Sequence, residues 1–557
     1  ACERAGMVDF GELLLRSHEL WMKNPELLQY YQGRFSQILV DEFQDTNTVQ
    51  YAWLRMLAGP RGCVTVVGDD DQSIYGWRGA KIENIQQFSR DLRDVDTIRL
   101  EQNYRSTATI LNAANRLIAN NTSRLGKELW TEGKQGEAIS LYTAFNEQDE
   151  ARFICSQIEN WHNQGQRRAD AVILYRSNAQ SRELEEALLR IGMPYRIYGG
   201  FRFYERLEIR NAMAYLRLIA NRNDDAAMER VINTPVRGIG NKTLELLREV
   251  ARNQGTSLWQ AAVKAVTESL LPGRALLNVG DFLALINELD DYAQQTSLHE
   301  LTDRVIERSG LIGHHEKEGG EKARIRQENL EELINAAKSF DWGAVEGMPE
   351  EPEPGVILSA FLDKAALDAG DTQAGEHEDA VQLMTLHSAK GLEFPLVFIA
   401  GLEEGLFPHK MSMDNLDGLE EERRLCYVGI TRAREKLYLS HAESRRMHGE
   451  ENLTRPSRFI REIPSDLIEE VRIKTGVGTV ARFGKSAAEH DMIGSALRGE
   501  AVAGTEISLG QRVKHPKFGE GVVLNYEGSG NNARVQINFD HAGGKWLVMS
   551  YARLEVL

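Results

Sequence analysis

Cysteine is scarce. The four cysteines among 557 residues, Cys2, Cys63, Cys155 and Cys426, lie far apart and form no C-x-x-C pair. That excludes a disulfide scaffold and a cysteine-based zinc or iron–sulfur site, and it suits a reducing cytoplasm. No apolar run approaches the roughly 18 residues of a membrane span. The opening Ala1-Cys2-Glu3-Arg4 has neither a starting methionine nor the apolar stretch of a signal peptide. Basic residues are the minority charge, 66 against 83 acidic ones, and the net charge is −17. A uniformly basic coat is excluded, but nucleic-acid binding is not, because a groove needs only local positive potential. No tandem repeat is present.

What is there reads as a soluble globular protein, with 42% apolar and 27% charged residues. At roughly 150 residues per domain the length suggests three to four domains. The first residues read as helix (Phe10, Leu13, Leu14, Leu15), so the chain is expected to begin within a domain. Short continuous apolar runs, Gln37–Val40 and Val64–Val67, predict parallel strands covered on both faces. Strand and helix patterns then alternate through residues 102–198. From 199 to 378 the pattern is helical, and strands return over 379–465. An α/β domain split by an insertion of about 180 residues is the expected layout. Residues 466–506 are polar and read as a linker. Residues 507–557 hold short alternating strands between Gly/Asn turns, the pattern of a small β-barrel.

Chemistry concentrates at strand ends. Val40 is followed by Asp41 and Glu42. In open α/β sheets ligands bind outside the carboxyl ends of the strands. There one carboxylate can hold Mg²⁺ while the next orients or deprotonates a water. Read alone, this run also fits an acidic turn. The second strand runs into Gly68-Asp69-Asp70-Asp71-Gln72-Ser73-Ile74-Tyr75-Gly76-Trp77-Arg78. Gln72 can bond a phosphate oxygen and a water, the glycines allow close backbone approach, and Tyr75 and Trp77 suit stacking of unpaired bases.

These two runs, with Gln102-Asn103-Tyr104-Arg105-Ser106, Tyr175-Arg176-Ser177-Asn178, Thr385 through Phe394 and Tyr427 through Ala433, resemble superfamily 1 DNA helicases of the UvrD/Rep/PcrA type. The resemblance runs over nearly the whole chain. It implies an α/β fold of two RecA-like parallel-sheet domains, the first incomplete, with a helical insertion in the second and a Tudor-like barrel at the C-terminus. The segments would be an accessory helical end over 1–35, the partial first domain over 36–101, and the second domain over 102–198 and 379–465. The activity implied is ATP-dependent 3′–5′ DNA unwinding in repair, with ATP and Mg²⁺ as cofactors.

Residue by residue, the resemblance makes Asp41 the Mg²⁺ ligand and Glu42 the base. It makes Gln72 the γ-phosphate sensor, and Arg105 and Arg432 the arginines on the transferring phosphoryl. Such an arginine is worth roughly 10³–10⁵ in rate. Tyr104 would stack on adenine and Glu393 reach the ribose. Tyr75, Trp77 and Phe407 would stack bases, and Arg176, Asn178, Thr385 and His387 would hold the strand's backbone, a sequence-independent and salt-sensitive grip. Gly238 and Gly240, in a G-x-G turn before an amphipathic helix, resemble a duplex contact, though alone they fit a plain helix–helix turn. Arg445-Arg446-Met447-His448-Gly449 reads as a hairpin tip, with His448 where the family's strand-separating pin often has tyrosine. Residues 507–557 resemble a module associated with RNA polymerase and repair partners. Single-stranded DNA and the single-strand/duplex junction are the implied substrates, no membrane is, and self-association stays open.

One expected element is missing. The loop G-x-x-x-x-G-K-S/T that cradles phosphates should precede Asp41, and no such match exists. Gly484-Lys485-Ser486 fails because Gly478 lies one residue too far away. The 557-residue chain alone is therefore expected to hydrolyse ATP poorly. The alternative reading is a non-catalytic adaptor for DNA and RNA polymerase, which would have no use for the set Glu42, Gln72, Arg105 and Arg432.

Overall fold

The computed structural model describes residues 7–471 and 511–556, apart from 93, 123, 346–348, 350–351, 371–373, 376, 448, 517–518, 528–533, 540–542 and 549–553. Two helices, Phe10–Lys23 and Pro25–Arg34, come first, and Trp21 of the former stacks on Trp53 at 4.9 Å. Strands β1 (Gln37–Val40) and β2 (Cys63–Val66) pair in parallel, Gln37 opposite Cys63. Helix Thr48–Ala58 joins them. Its start is set by reciprocal bonds between Asn47 and Gln50, a capping box that satisfies two otherwise orphaned N–H groups.

Ile38, Val40, Val64 and Val66 pack under that helix with Phe43, Tyr51, Leu54 and Phe88. The expected cover on both faces is not found. Side chains alternate across a strand, and Leu39, on the opposite face from Ile38, is 78% exposed.

A second sheet carries the rest of the α/β fold. Its strands are β3 (Ile139–Ala144), β4 (Ala171–Tyr175), β5 (Tyr195–Ile197), β6 (Val381–Thr385), β7 (Phe394–Ile399), β8 (Ala433–Ala442) and, beyond the hairpin strands β9 (Ser444–Met447) and β10 (Glu450–Leu453), β11 (Ile468–Glu470). The order is β11-β3-β8-β7-β4-β6-β5, and every pairing is parallel. Period-2 alternation loads both faces. Val172 and Leu174 enter one core with Ile110 and Leu117, while Ile173 and Tyr175 enter the other with Ile154 and Leu188. A strand buried on both sides must read as an unbroken apolar run, and Ala-Val-Ile-Leu-Tyr does.

Between β5 and β6 the chain leaves the sheet to build a helical body, from helix Leu207–Ala220 to helix Pro354–Gly370, around one core that includes Tyr215, Phe282 and Leu330. The linker read over 466–506 needs correction at its start. Ile468 pairs with Ile139, so β11 is the sheet's edge strand; the remainder, 472–506, lies outside the described residues. The C-terminal strands β12 (Arg512–His515), β13 (Gly519–Glu527), β14 (Arg534–Phe539), β15 (Gly543–Val548) and β16 (Glu555–Val556) form a five-stranded antiparallel sheet over Val513, Val523, Val535, Ile537 and Phe539.

Candidate functional site

The ends of β1 and β2 are tied by one buried side chain. Gln44 donates to Glu42 at 2.5 Å and accepts from the Asp69 N–H at 2.9 Å. Gly68 is required for this: a Cβ there would fall 2.7 Å from the Gln44 oxygen. Its glycine thus admits a neighbouring side chain. Glu42 takes a left-handed backbone (φ 51°), and its N–H donates to Asp41 at 2.9 Å. Asp69 accepts from the Gln72 side chain at 2.7 Å, which aims the other end of that amide outward.

The second lobe meets it there. Arg432 is buried, donating to the Val428 and Leu392 carbonyls, each at 3.0 Å, and reaching the Gln72 oxygen at 3.4 Å. Burial, then the neighbouring charge of Arg105, lowers its pKa to about 10, so it stays a cation at neutral pH. Arg105 pairs with Glu393 at 2.6 Å and holds that carboxylate below its usual range. The Tyr104 ring is 85% exposed, its hydroxyl donating to Gln102 at 2.8 Å.

Lys390 closes the gap between lobes. It lies 2.6 Å from Asp45 and 3.2 Å from Glu42, and it donates to the Gln72 carbonyl at 2.9 Å. Even so, burial raises the pKa of Asp45, and one of its oxygens has no partner among the described residues. Sequence reading passed over Lys390, Gln44 and Asp45. Lys390 lies inside a quoted run and Gln44 and Asp45 just beyond one, but a single lysine, amide or carboxylate carries no sign of burial until its surroundings are known.

Beside this cleft is an aromatic face. Tyr75, Trp77 and His387 lie with ring centroids 6.4 Å apart pairwise, and the Tyr75 hydroxyl donates to the His387 carbonyl at 3.2 Å. The Arg78 guanidinium sits 4.6 Å from the centroid of Trp77 and 5.1 Å from that of Tyr75, within cation–π range. Trp77 is 45% exposed.

Comparison with known proteins now decides the family. Residues 1–93 match the UvrD/REP helicase N-terminal domain, 98–444 the UvrD-like helicase C-terminal domain, and 509–555 the PcrA/UvrD tudor domain. DNA helicase II of Escherichia coli (strain K12) is 57% identical over the whole of this chain and 75% of its own length. DNA helicase II of Haemophilus influenzae is 55% identical over 100% of this chain and 74% of its own length. The ATP-dependent DNA helicase PcrA of Staphylococcus aureus (strain Mu50) is 40% identical over 98% of this chain and 74% of its own. The chain belongs to the UvrD helicase family.

In this DNA helicase of that family, the residues predicted to meet DNA differ in their burial and partners. Phe407 cannot stack a base as placed: it is wholly buried, its ring 5.4 Å from that of Phe459. Arg176 is buried and spent on a two-pronged pair with Glu422, at 2.7 and 3.0 Å, so its charge is already matched. His387 is held neutral, its pKa pushed down to about 3 by burial and then by Arg176. Asn178 opens a short turn and gives its carbonyl to Arg206, and the Thr385 hydroxyl faces that of Ser388 at 3.0 Å. Gly238 is exposed with φ +77°, and Gly240 caps helix Asn241–Gln254, anchored by buried Ile239 between them. The predicted hairpin forms from β9 and β10, Met447 opposite Glu450; His448 lies outside the described residues. Among the described residues no helix is long and apolar enough to cross a membrane.

Proposed function

We propose that this chain is the motor portion of an ATP-driven helicase that moves 3′ to 5′ along one DNA strand and opens duplex from a single-stranded tail during DNA repair. The observation that carries the motor reading is the meeting of the lobes at Gln72. Its side chain takes Arg432 at 3.4 Å and its carbonyl takes Lys390 at 2.9 Å. Direction and repair role rest on the resemblance, and ATP use is supported by the relative PcrA, an ATP-dependent DNA helicase.

Asp41 suits Mg²⁺: it is an exposed carboxylate at a strand end, a hard oxygen donor with room for water ligands. Bound ATP would supply the phosphoryl transfer, and its binding would close the two lobes. Glu42 would orient and deprotonate the attacking water once Lys390 yields its oxygen. Gln72, touched by both lobes, would sense the terminal phosphate. Arg105 and Arg432 would balance charge on it, Arg105 leaving Glu393 free for the ribose. The exposed Tyr104 ring would take the base. Trp77, Tyr75 and His387 would form the strand platform, and Gly238 and Gly240 would meet duplex phosphate. The barrel over 507–557 would serve RNA polymerase or repair proteins, and the cytoplasm is the compartment.

The test is strand displacement on a 3′-tailed duplex. It compares this chain with an extended chain continued upstream into a Gly-Lys-Thr loop, each with and without Glu42→Gln. The extended chain should unwind, and Glu42→Gln should cut its ATP turnover about 10²–10⁴-fold, the range for a lost general base. Unwinding that survives Glu42→Gln would remove the assignment of Glu42.

A further inference from the structure

The hairpin β9–β10 needs outside support. Two-stranded hairpins are marginal alone, and β10 is exposed along its whole length. Its base is fixed in the second lobe, where Arg445 pairs with Glu403 at 2.6 Å and Glu150 at 2.7 Å. Its tip is held by another part of the molecule, helix Gly320–Ser339 of the insertion.

Glu328, Glu332 and Asn335 stand at i, i+4 and i+7, on one face of that helix. Glu328 accepts from the Ser177 hydroxyl. Glu332 pairs with Arg182 at 2.6 Å, and its second oxygen accepts from the Asn335 amide at 2.9 Å. That amide also donates to the Arg446 carbonyl at 3.3 Å, and its oxygen accepts from the Gly449 N–H at 2.7 Å. An asparagine has two N–H donors and one carbonyl, and all are used. Arg446 lies in β9 and Gly449 in the turn before β10, so one side chain holds both the first strand and the turn. Glycine suits this turn because its φ is +76°, a backbone conformation that other residues rarely adopt.

We infer that Asn335 is a positioning residue for the hairpin, joined through Glu332 to Arg182 of helix Ser181–Arg190, which directly follows the turn at Ser177 and Asn178. The inference rests on the helicase reading above and on the role of strand-separating pin that the family resemblance implies for this hairpin. Asn335 lies in the inserted body, whereas the set proposed for hydrolysis lies at the cleft, so its loss should separate unwinding from ATP turnover.

The experiment uses the extended chain. Asn335→Ala should lower unwinding of a 3′-tailed duplex about tenfold, the scale of two lost hydrogen bonds. ATPase stimulated by single-stranded DNA should stay within about twofold. Unchanged unwinding, or an equal fall in both, overturns the assignment, the latter by showing a general structural role. Should Asn335→Ala fail to fold, Glu332→Gln gives the same readout, since it weakens the link from Arg182. Where both fold, the double variant should unwind no worse than Asn335→Ala, because residues in one chain of contacts are not additive; additive losses break the proposed link. His448→Ala separates the two levels. If it unwinds normally, the hairpin reading itself fails. If it is impaired while Asn335→Ala is not, only the role of Asn335 falls.

Discussion

His387 shows how a side chain's surroundings decide its chemistry. In sequence it is a titratable group beside a candidate strand contact. In the fold it packs against Tyr75 and Trp77, and burial pushes its pKa down to about 3. The unfolded chain takes up a proton near pH 6.5 and the folded chain does not. Stability from this group is therefore complete above about pH 6.5 and is lost as pH falls from there toward 3. Between pH 7 and pH 5 the loss should be about 2 kcal/mol, at about 1.4 kcal/mol per unit. Urea denaturation at both pH values checks this, and His387→Gln should remove that part of the slope. An unchanged slope in the variant would mean the ring is already protonated or solvated. The same logic covers Arg176 and Phe407: their identities were legible, but the Glu422 partner and the Phe459 contact were not.

At the scale of elements, the turn Asp70–Gln72 is braced from a segment some fifty residues away. Arg124 makes two bonds to Asp71, both 2.7 Å, Lys127 pairs with Asp69, and the Leu125 N–H donates to Asp70 at 2.7 Å. The three carboxylates lie close enough together to suggest a cation site, but these partners fill that role. Asp71 keeps 2% side-chain exposure, so Arg124→Met would strand a buried charge, at about 3 kcal/mol. Chemical denaturation measures it. The double variant Arg124→Met/Asp71→Leu should recover most of the loss, because removing both ends of a buried pair is often neutral. No recovery would show that Arg124 acts through packing. Sequence reading saw the acidic run and missed the brace, since nothing local to either segment marks them as partners.

For the whole molecule, a net charge of −17 must coexist with a grip on a polyanion. The structure places Arg78 over Tyr75 and Trp77, a local cationic and aromatic platform. Trp77→Ala should weaken single-stranded DNA binding about 5- to 150-fold, the worth of one stacked base at roughly 1–3 kcal/mol, without changing the salt dependence. Arg78→Gln should instead flatten the plot of log affinity against log salt by about 0.7 if it neutralises one phosphate. Fluorescence anisotropy with an oligo-dT strand across salt concentrations distinguishes them. Equal effects from both variants would argue against a stacking platform here.

Local order determined what could be read directly. Strand runs, helix starts and the catalytic-looking strand ends depend on side-chain type at short spacing, and β1, β4 and the split sheet follow from them. The family resemblance came from those same short runs. Tertiary structure alone decided which charges are matched and which rings are buried. Lys390 with Glu42, Arg432 with Gln72 and Asn335 with the hairpin are pairings across more than a hundred residues. Burial and partner identity are properties of the packed whole, and they set whether a given arginine, histidine or phenylalanine faces DNA, a neighbour or the core.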